Sequence, residues 1–186
     1  MIKKACLYIR DVVGEPYMKQ GELLDVVSEE DEVMRTATRE EVVKEKLRHR
    51  AVIVFVFDEQ GKVFLQKRSQ KAYSHQGKYA LSCAGKVKAG EAYEDAAERE
   101  LKEELGITTP LIYITKTKHD DGQKFFAHVY AIQFQGDLTF EDGEVESGIF
   151  VSQGELAKYL DTDEVAPDDR TLITLFYEAA KERAME

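Results

Sequence analysis

Glu100, Glu103 and Glu104 stand at positions i, i+3 and i+4 of a stretch that reads as a helix, so three carboxylates converge on one flank. Like charges at this spacing repel by about 0.2–0.5 kcal/mol per pair when exposed, and by more where water is excluded. Lys102, the nearby lysine, projects from another side of the helix. An oxygen-only ligand set of this kind suits a hard divalent cation, Mg²⁺ or Mn²⁺. A solvated acidic face is the alternative reading of the same charge run.

The elements that would position these carboxylates are legible around them. From Glu91 onward Tyr93, Ala97, Leu101 and Leu105 recur as one buried helical stripe, and Gly106 follows where a left-handed residue ends a helix. Glu100 and Glu104 fall beside that stripe, at the shoulder of the core. The preceding loop carries Gly85 and Gly90, which permit a tight turn and a close backbone approach to a ligand.

The spacing is specific. Gly85, five residues, Glu91, seven residues, Arg99-Glu100-Leu101, one residue, Glu103-Glu104, one residue and Gly106-Ile107 together match the Nudix box at every specified position. By average residue frequencies a chance match is expected on the order of one time in ten million. The chain therefore resembles the Nudix hydrolases, and the resemblance implies a set of roles. Residues matching Glu100, Glu103 and Glu104 hold one to three divalent cations, and the glycine matching Gly85 can offer its carbonyl. The arginine matching Arg99 pairs with the glutamate matching Glu91 and braces loop against helix. The reaction implied is attack of water on a phosphorus of a diphosphate linked to another moiety, with a nucleoside diphosphate derivative as the leading substrate class. Glu100 and Glu104 are the expected ligands, and Glu103 is a ligand or the general base. Glu144 and Glu146, from a later acidic loop, are alternative bases.

Other stretches carry weaker signals. Arg68 and Lys71, with Tyr73, lie in the most basic segment before the box, and in other Nudix proteins this region borders the substrate mouth. Arg68 and Lys71 are expected to meet phosphate oxygens; Tyr73, Phe125 and Phe126 are candidates to stack on a base, though each also suits a core. His128 reads as a half-buried strand histidine, and His119 as exposed.

Ala51 to Phe57, AVIVFVF, reads as a central strand buried on both faces, and Val63 to Gln66 as its return. Tyr79 to Ala84 reads as the strand entering the box. Leu111 to Lys116 and Phe125 to Phe134 read as a hairpin, with one face of the latter core and the other, Phe126, His128 and Tyr130, free to line a pocket. Ile149 to Val151 follows the acidic loop, then helices from Ser152 and from Pro167 to Glu182. Upstream, Leu23 to Val27 and Val33 to Thr36 form a hairpin, and Thr38 with Glu41 suggests a capping box. Residues 1 to about 20, with a possible strand at ACLYI, read as an arm. The expected architecture is an α/β (α+β) Nudix-type α/β/α sandwich on a mixed sheet. Residues 1–48 form an N-terminal extension, 49–180 the Nudix domain and 181–186 a tail.

Length, 186 residues, suits one domain, and no run approaches the ~20 apolar residues of a membrane span. The N-terminus lacks a signal-peptide core, and Cys6 and Cys83 suggest neither disulfides nor zinc, so a cytoplasmic setting is expected. A net charge of −10 argues against sequence-independent nucleic-acid binding. A homodimer is an expectation of the family resemblance.

The motifs ELLDVV, TREEV, LRHRAV and LQKRS also resemble a branch near type I isopentenyl-diphosphate isomerase. That enzyme places a cysteine before the box glycine and a histidine after it, where this chain has Ala84 and Lys86. His49 stands where an isomerase metal histidine falls and is read as structural or as a secondary contact. Isomerase activity and a non-catalytic Nudix-fold binding protein are the competing readings.

Overall fold

The computed structural model of the chain describes residues 21–141 and 143–186; the expected N-terminal arm and Cys6 lie outside the described residues. At the centre is β3 (His49–Phe57), whose alternating side chains enter two separate cores. Ile53, Phe55 and Phe57 pack on one side, Val52, Val54 and Val56 on the other, each essentially without solvent exposure. A strand buried on both faces needs covering layers on both, and the helices supply them. Helix α2 (Tyr93–Leu105) covers one face; α3 (Gln153–Leu160) and α4 (Pro167–Met185) cover the other.

The main sheet contains β3, β4 (Val63–Arg68), β5 (Tyr79–Ala80), β6 (Cys83–Lys86), β7 (Ile112–His119), β8 (Phe125–Gln133) and β9 (Val145–Val151). β3 pairs in parallel with β8 from His49↔Phe125 to Phe57↔Gln133, while the other pairings are antiparallel, which makes the sheet mixed. β3 and β4 share a single paired position, Phe57↔Val63, then diverge, β3 onto β6 and β4 onto β9.

Four expectations need correction. The stretch Tyr79 to Ala84 is two strands rather than one, because Ser82 carries the chain from β4 to β3. Its hydroxyl donates to the Phe64 carbonyl at 2.6 Å and accepts from the Val56 N–H at 3.0 Å. β9 begins at Val145, four residues before the expected start, and Gly148 sits within it. A Cβ at Gly148 would lie 2.0 Å from the Phe64 ring, so only glycine lets that ring cross the strand. Both faces of β8 feed a core, with Tyr130 and Ile132 buried under α2, and Phe126, His128 and Tyr130 are absent from the lining of the cavity beside Gly85. Finally, α4 continues through residues expected as a tail, and Ala184 is buried in the core.

The N-terminal hairpin, β1 (Leu23–Val27) and β2 (Val33–Thr38), and α1 (Arg39–Glu45) build a small core from Leu24, Val26, Ala37 and Val42. Thr38 accepts from the Glu41 N–H as expected, while the Glu41 carboxylate turns to Arg35 at 2.8 Å. The hairpin tip is anchored through Asp31, which accepts from Arg50 Nε at 2.7 Å and Tyr93 Oη at 3.0 Å and also pairs with Lys116. Burial pushes the Asp31 carboxyl up, but its Lys116, Arg50 and Tyr93 hydrogen bonds outweigh burial and hold it below 3.8. That stabilisation is present above pH 3.8 and lost as pH falls through the lower folded value. Asp31→Ala is expected to cost about 2 kcal/mol, read as a lower urea midpoint at pH 7 and a smaller difference from the parent near pH 3. Among the described residues no helix is long and apolar enough to cross a membrane.

Candidate active site

Ala96, Ala97, Leu101 and Leu105 pack against β3 and so fix the rotation of α2. That rotation turns Glu100 and Glu104 inward, to 6% and 3% exposure. Facing Glu100 is Gly85 on β6, where an added Cβ would meet the Glu100 carboxylate carbon at 2.1 Å. The missing side chain at Gly85 is therefore the space the carboxylate uses. Gln66, on β4 and 1% exposed, donates from Nε2 to Glu104 at 3.2 Å. Its Oε1 is buried without a hydrogen-bond partner among the described residues.

Arg99 is the hub beneath these groups. Its Nε and one terminal nitrogen donate to the two oxygens of Glu91 at 2.8 and 2.9 Å, and that nitrogen also reaches the Lys86 carbonyl at 3.1 Å. The other terminal nitrogen donates to Glu100 at 2.7 Å and lies 3.7 Å from Glu103. The loop-to-helix brace implied by the resemblance is present, but the guanidinium also offsets part of the carboxylate repulsion, so an ion is not the sole counter-charge. Burial pushes the Glu91 carboxyl up, and the Arg99 and Lys88 hydrogen bonds overcome it and hold it below 4.5. The brace is thus at full strength above pH 4.5 and fades as pH falls through the folded value. Arg99→Ala leaves Glu91 and Glu100 without this cation, and is expected to cost about 3 kcal/mol, measured by chemical unfolding at neutral pH.

The carboxylates open onto a cavity of about 390 Å³. Gly85, Glu100, Glu104, Arg68, Tyr73 and Glu144 line it, together with Phe125. Glu144 reaches it because Arg68 pairs in register with Val145, and the Arg68 guanidinium lies 3.5 Å from Glu144 while its Nε donates to the Ser74 carbonyl. Three expected residues are absent from the lining: exposed Lys71, exposed Glu146, and Glu103, whose side chain is 35% exposed beside Arg99. Phe126 is buried under Arg48 and Lys116, away from the cavity. His119 is half-buried and stacks on Phe125 at 4.8 Å; His128 stacks on Tyr93 at 3.7 Å.

Several lining groups had no signal, or a weaker one, in the sequence. Hydrogen bonds joining Tyr79 to Glu164 and Ala166 pin the start of α4 beside β5, which brings Asp168 and Asp169 to the cavity. Burial pushes the Asp169 carboxyl up to about 6, against the opposing pull of Arg68. Arg39, His49 and Lys86 also line the cavity. His49 is fully buried, and burial with the nearby Lys86 charge lowers it to about 3, so its ring is neutral. Burial and then Arg39 lower Lys86 to about 8.

Two buried carboxylates against a glycine cradle fit a hard cation, since burying such anions without positive charge is costly. Among the described residues no three His, Cys, Asp or Glu side chains already converge as ligands. Substrate and water oxygens would have to complete the shell, as Mg²⁺ sites commonly require.

A mixed sheet between helical layers, with Gly85 of β6 set against buried glutamates of α2 at an open cavity, is the arrangement of a hydrolase of the Nudix class. The comparisons agree: the NUDIX domain family matches residues 47–176. An uncharacterised Nudix hydrolase from Streptomyces coelicolor is 35% identical over 152 residues, 79% of this chain and 83% of that protein. An isopentenyl-diphosphate Delta-isomerase from Photorhabdus laumondii is 39% identical over 90 residues, covering 48% of this chain and 51% of its own. The crystal structure of DR0079 from Deinococcus radiodurans superposes with a TM-score of 0.72 at 25% identity, covering 83% of this chain and 98% of that one. The chain belongs to the Nudix hydrolase family, whose members act on pyrophosphate-containing substrates.

Proposed function

We propose that this chain hydrolyses the diphosphate linkage of a nucleoside diphosphate joined to another moiety, with Mg²⁺ or Mn²⁺ as cofactor. The observation that carries the reading is the burial of two carboxylates, Glu100 against Gly85 and Glu104 on the same face of α2, both lining one cavity. Glu100, Glu104 and the Gly85 carbonyl would hold the ion. When bound, it neutralises the diphosphate and lowers the pKa of nearby water. Arg99 and Glu91 hold the loop and helix in register, and Arg68 meets phosphate oxygens at the cavity wall. Tyr73 offers a ring to the substrate's organic part.

Water attacks one phosphorus, the bridging P–O bond breaks, and the departing phosphate carries away the bond's electron pair. Glu144 accepts the water proton in this proposal, because it is buried and lines the cavity, whereas the more exposed Glu103 and Glu146 are absent from the lining. Glu144→Gln is expected to lower kcat by about 100-fold or more with KM nearly unchanged; Glu103→Gln is expected to lower it by less than about tenfold, since it removes only a flanking charge. Steady-state kinetics of both variants on one substrate check the assignment, and the reverse ranking would move the base to Glu103.

Isomerase chemistry is disfavoured by the local geometry. Cys83 is fully buried in the core under α2, and Ala84 is the residue that lines the cavity. The test is product release from a panel of nucleoside-diphosphate derivatives and isopentenyl diphosphate, with Mg²⁺ and with chelator. Chelator-sensitive release supports the reading, and allylic isomer without hydrolysis overturns it. A cytoplasmic setting and a homodimer are carried forward as proposals, the latter measurable by sedimentation.

A further inference from the structure

His49 and Lys86 form a pair whose donor directions are set by chemistry. The Leu47 carbonyl, 3.0 Å from His49 Nδ1, can only accept, so Nδ1 carries the ring proton. Nε2 is left as an acceptor, and the Lys86 ammonium donates to it at 2.9 Å. A neutral imidazole aims the ammonium without cancelling its charge. Among the described residues no carboxylate pairs with Lys86 within 4.0 Å, although the side chain lines the cavity. Arg39 lines the same cavity, oriented by Glu22 at 3.0 Å. Glu22 and Glu100 offset part of this positive charge, but the Lys86 N–H donors not used by His49 and the Arg39 guanidinium both line one cavity, where an anion can meet them together.

We propose that Lys86 and Arg39 form a phosphate subsite of the cavity, so that α1 contributes a binding group to the active site. Lys86 supplies its remaining N–H donors as a point charge, and Arg39 supplies the guanidinium edges not used by Glu22. His49 is a positioning residue, holding the lysine at the cavity wall. The identity of the anion as a phosphate of the substrate rests on the hydrolase reading; the existence of the subsite does not.

The test is calorimetric titration of the full-length, chelator-treated protein with inorganic pyrophosphate. The parent is expected to bind, Lys86→Met to weaken binding by at least about tenfold and Arg39→Gln by at least about threefold, with Lys86→Arg within about threefold. Thermal melts accompany each variant, and if Lys86→Met does not fold, the Arg39→Gln result decides. No binding by the parent, or binding within twofold of the parent in both Lys86→Met and Arg39→Gln, overturns the proposal. Because this measurement involves no metal ion and no turnover, a failed substrate panel and a failed titration are separate outcomes.

Discussion

Glu104→Gln is expected to lower kcat/KM for the best diphosphate substrate by at least about 100-fold while leaving the fold intact. Glu104 is 3% exposed and hydrogen-bonded to Gln66, so an amide of the same size fills the same space. An amide oxygen can still accept from Gln66, and removing a buried negative charge relieves repulsion from Glu100. Stability should therefore hold, with Tm within a few degrees. What disappears is the anionic ligand, so the loss should be accompanied by weaker Mg²⁺ activation. Activity within threefold of the parent would remove Glu104 from the site. Glu100→Gln should be equally inactive but also less stable, because Arg99 loses a charged partner at 2.7 Å.

Gly85→Ala is expected to have an effect of similar size by a different route. The new Cβ would lie 2.1 Å from Glu100 Cδ and 2.3 Å from its Oε1, distances no real pair of atoms sustains. The obstructing atoms are the end of a flexible side chain, so the conflict resolves by displacing the carboxylate and not the strand. Gly85 pairs with Val52 in the β3–β6 ladder and has no positive φ, so alanine suits its backbone. The expected result is a loss of about 100-fold or more in kcat/KM with modest change in unfolding midpoint. A stable variant of parental activity would mean that Glu100 does not need its observed position.

The course of α2 was readable from its apolar stripe, because one buried face and a left-handed Gly106 at its end are local properties. β3 was readable for the same reason: a run of β-branched and aromatic residues has few destinations other than the sheet interior. β9 was obscured because its acidic residues and Gly148 look like a loop, and the need for glycine there comes from the Phe64 ring on another strand. The cavity lining was harder still. Arg39 and Asp169 reach the lining through the docking of α1 and the tie between Tyr79 and Glu164, and Gln66 supports Glu104 from β4 where that strand diverges from β3. Those are long-range consequences of packing, with no trace in local spacing. Lys71 and Glu146 illustrate the converse, since both stand close in sequence to lining residues yet are absent from the lining.

The most direct measurement is an anomalous-difference map from crystals soaked in Mn²⁺ with a non-hydrolysable diphosphate analogue. The account predicts a peak coordinated by Glu100 and Glu104, adjoining the Gly85 carbonyl and the analogue's oxygens, and abolished in Glu104→Gln. A parent protein that hydrolyses diphosphates yet shows no peak between those carboxylates would contradict it.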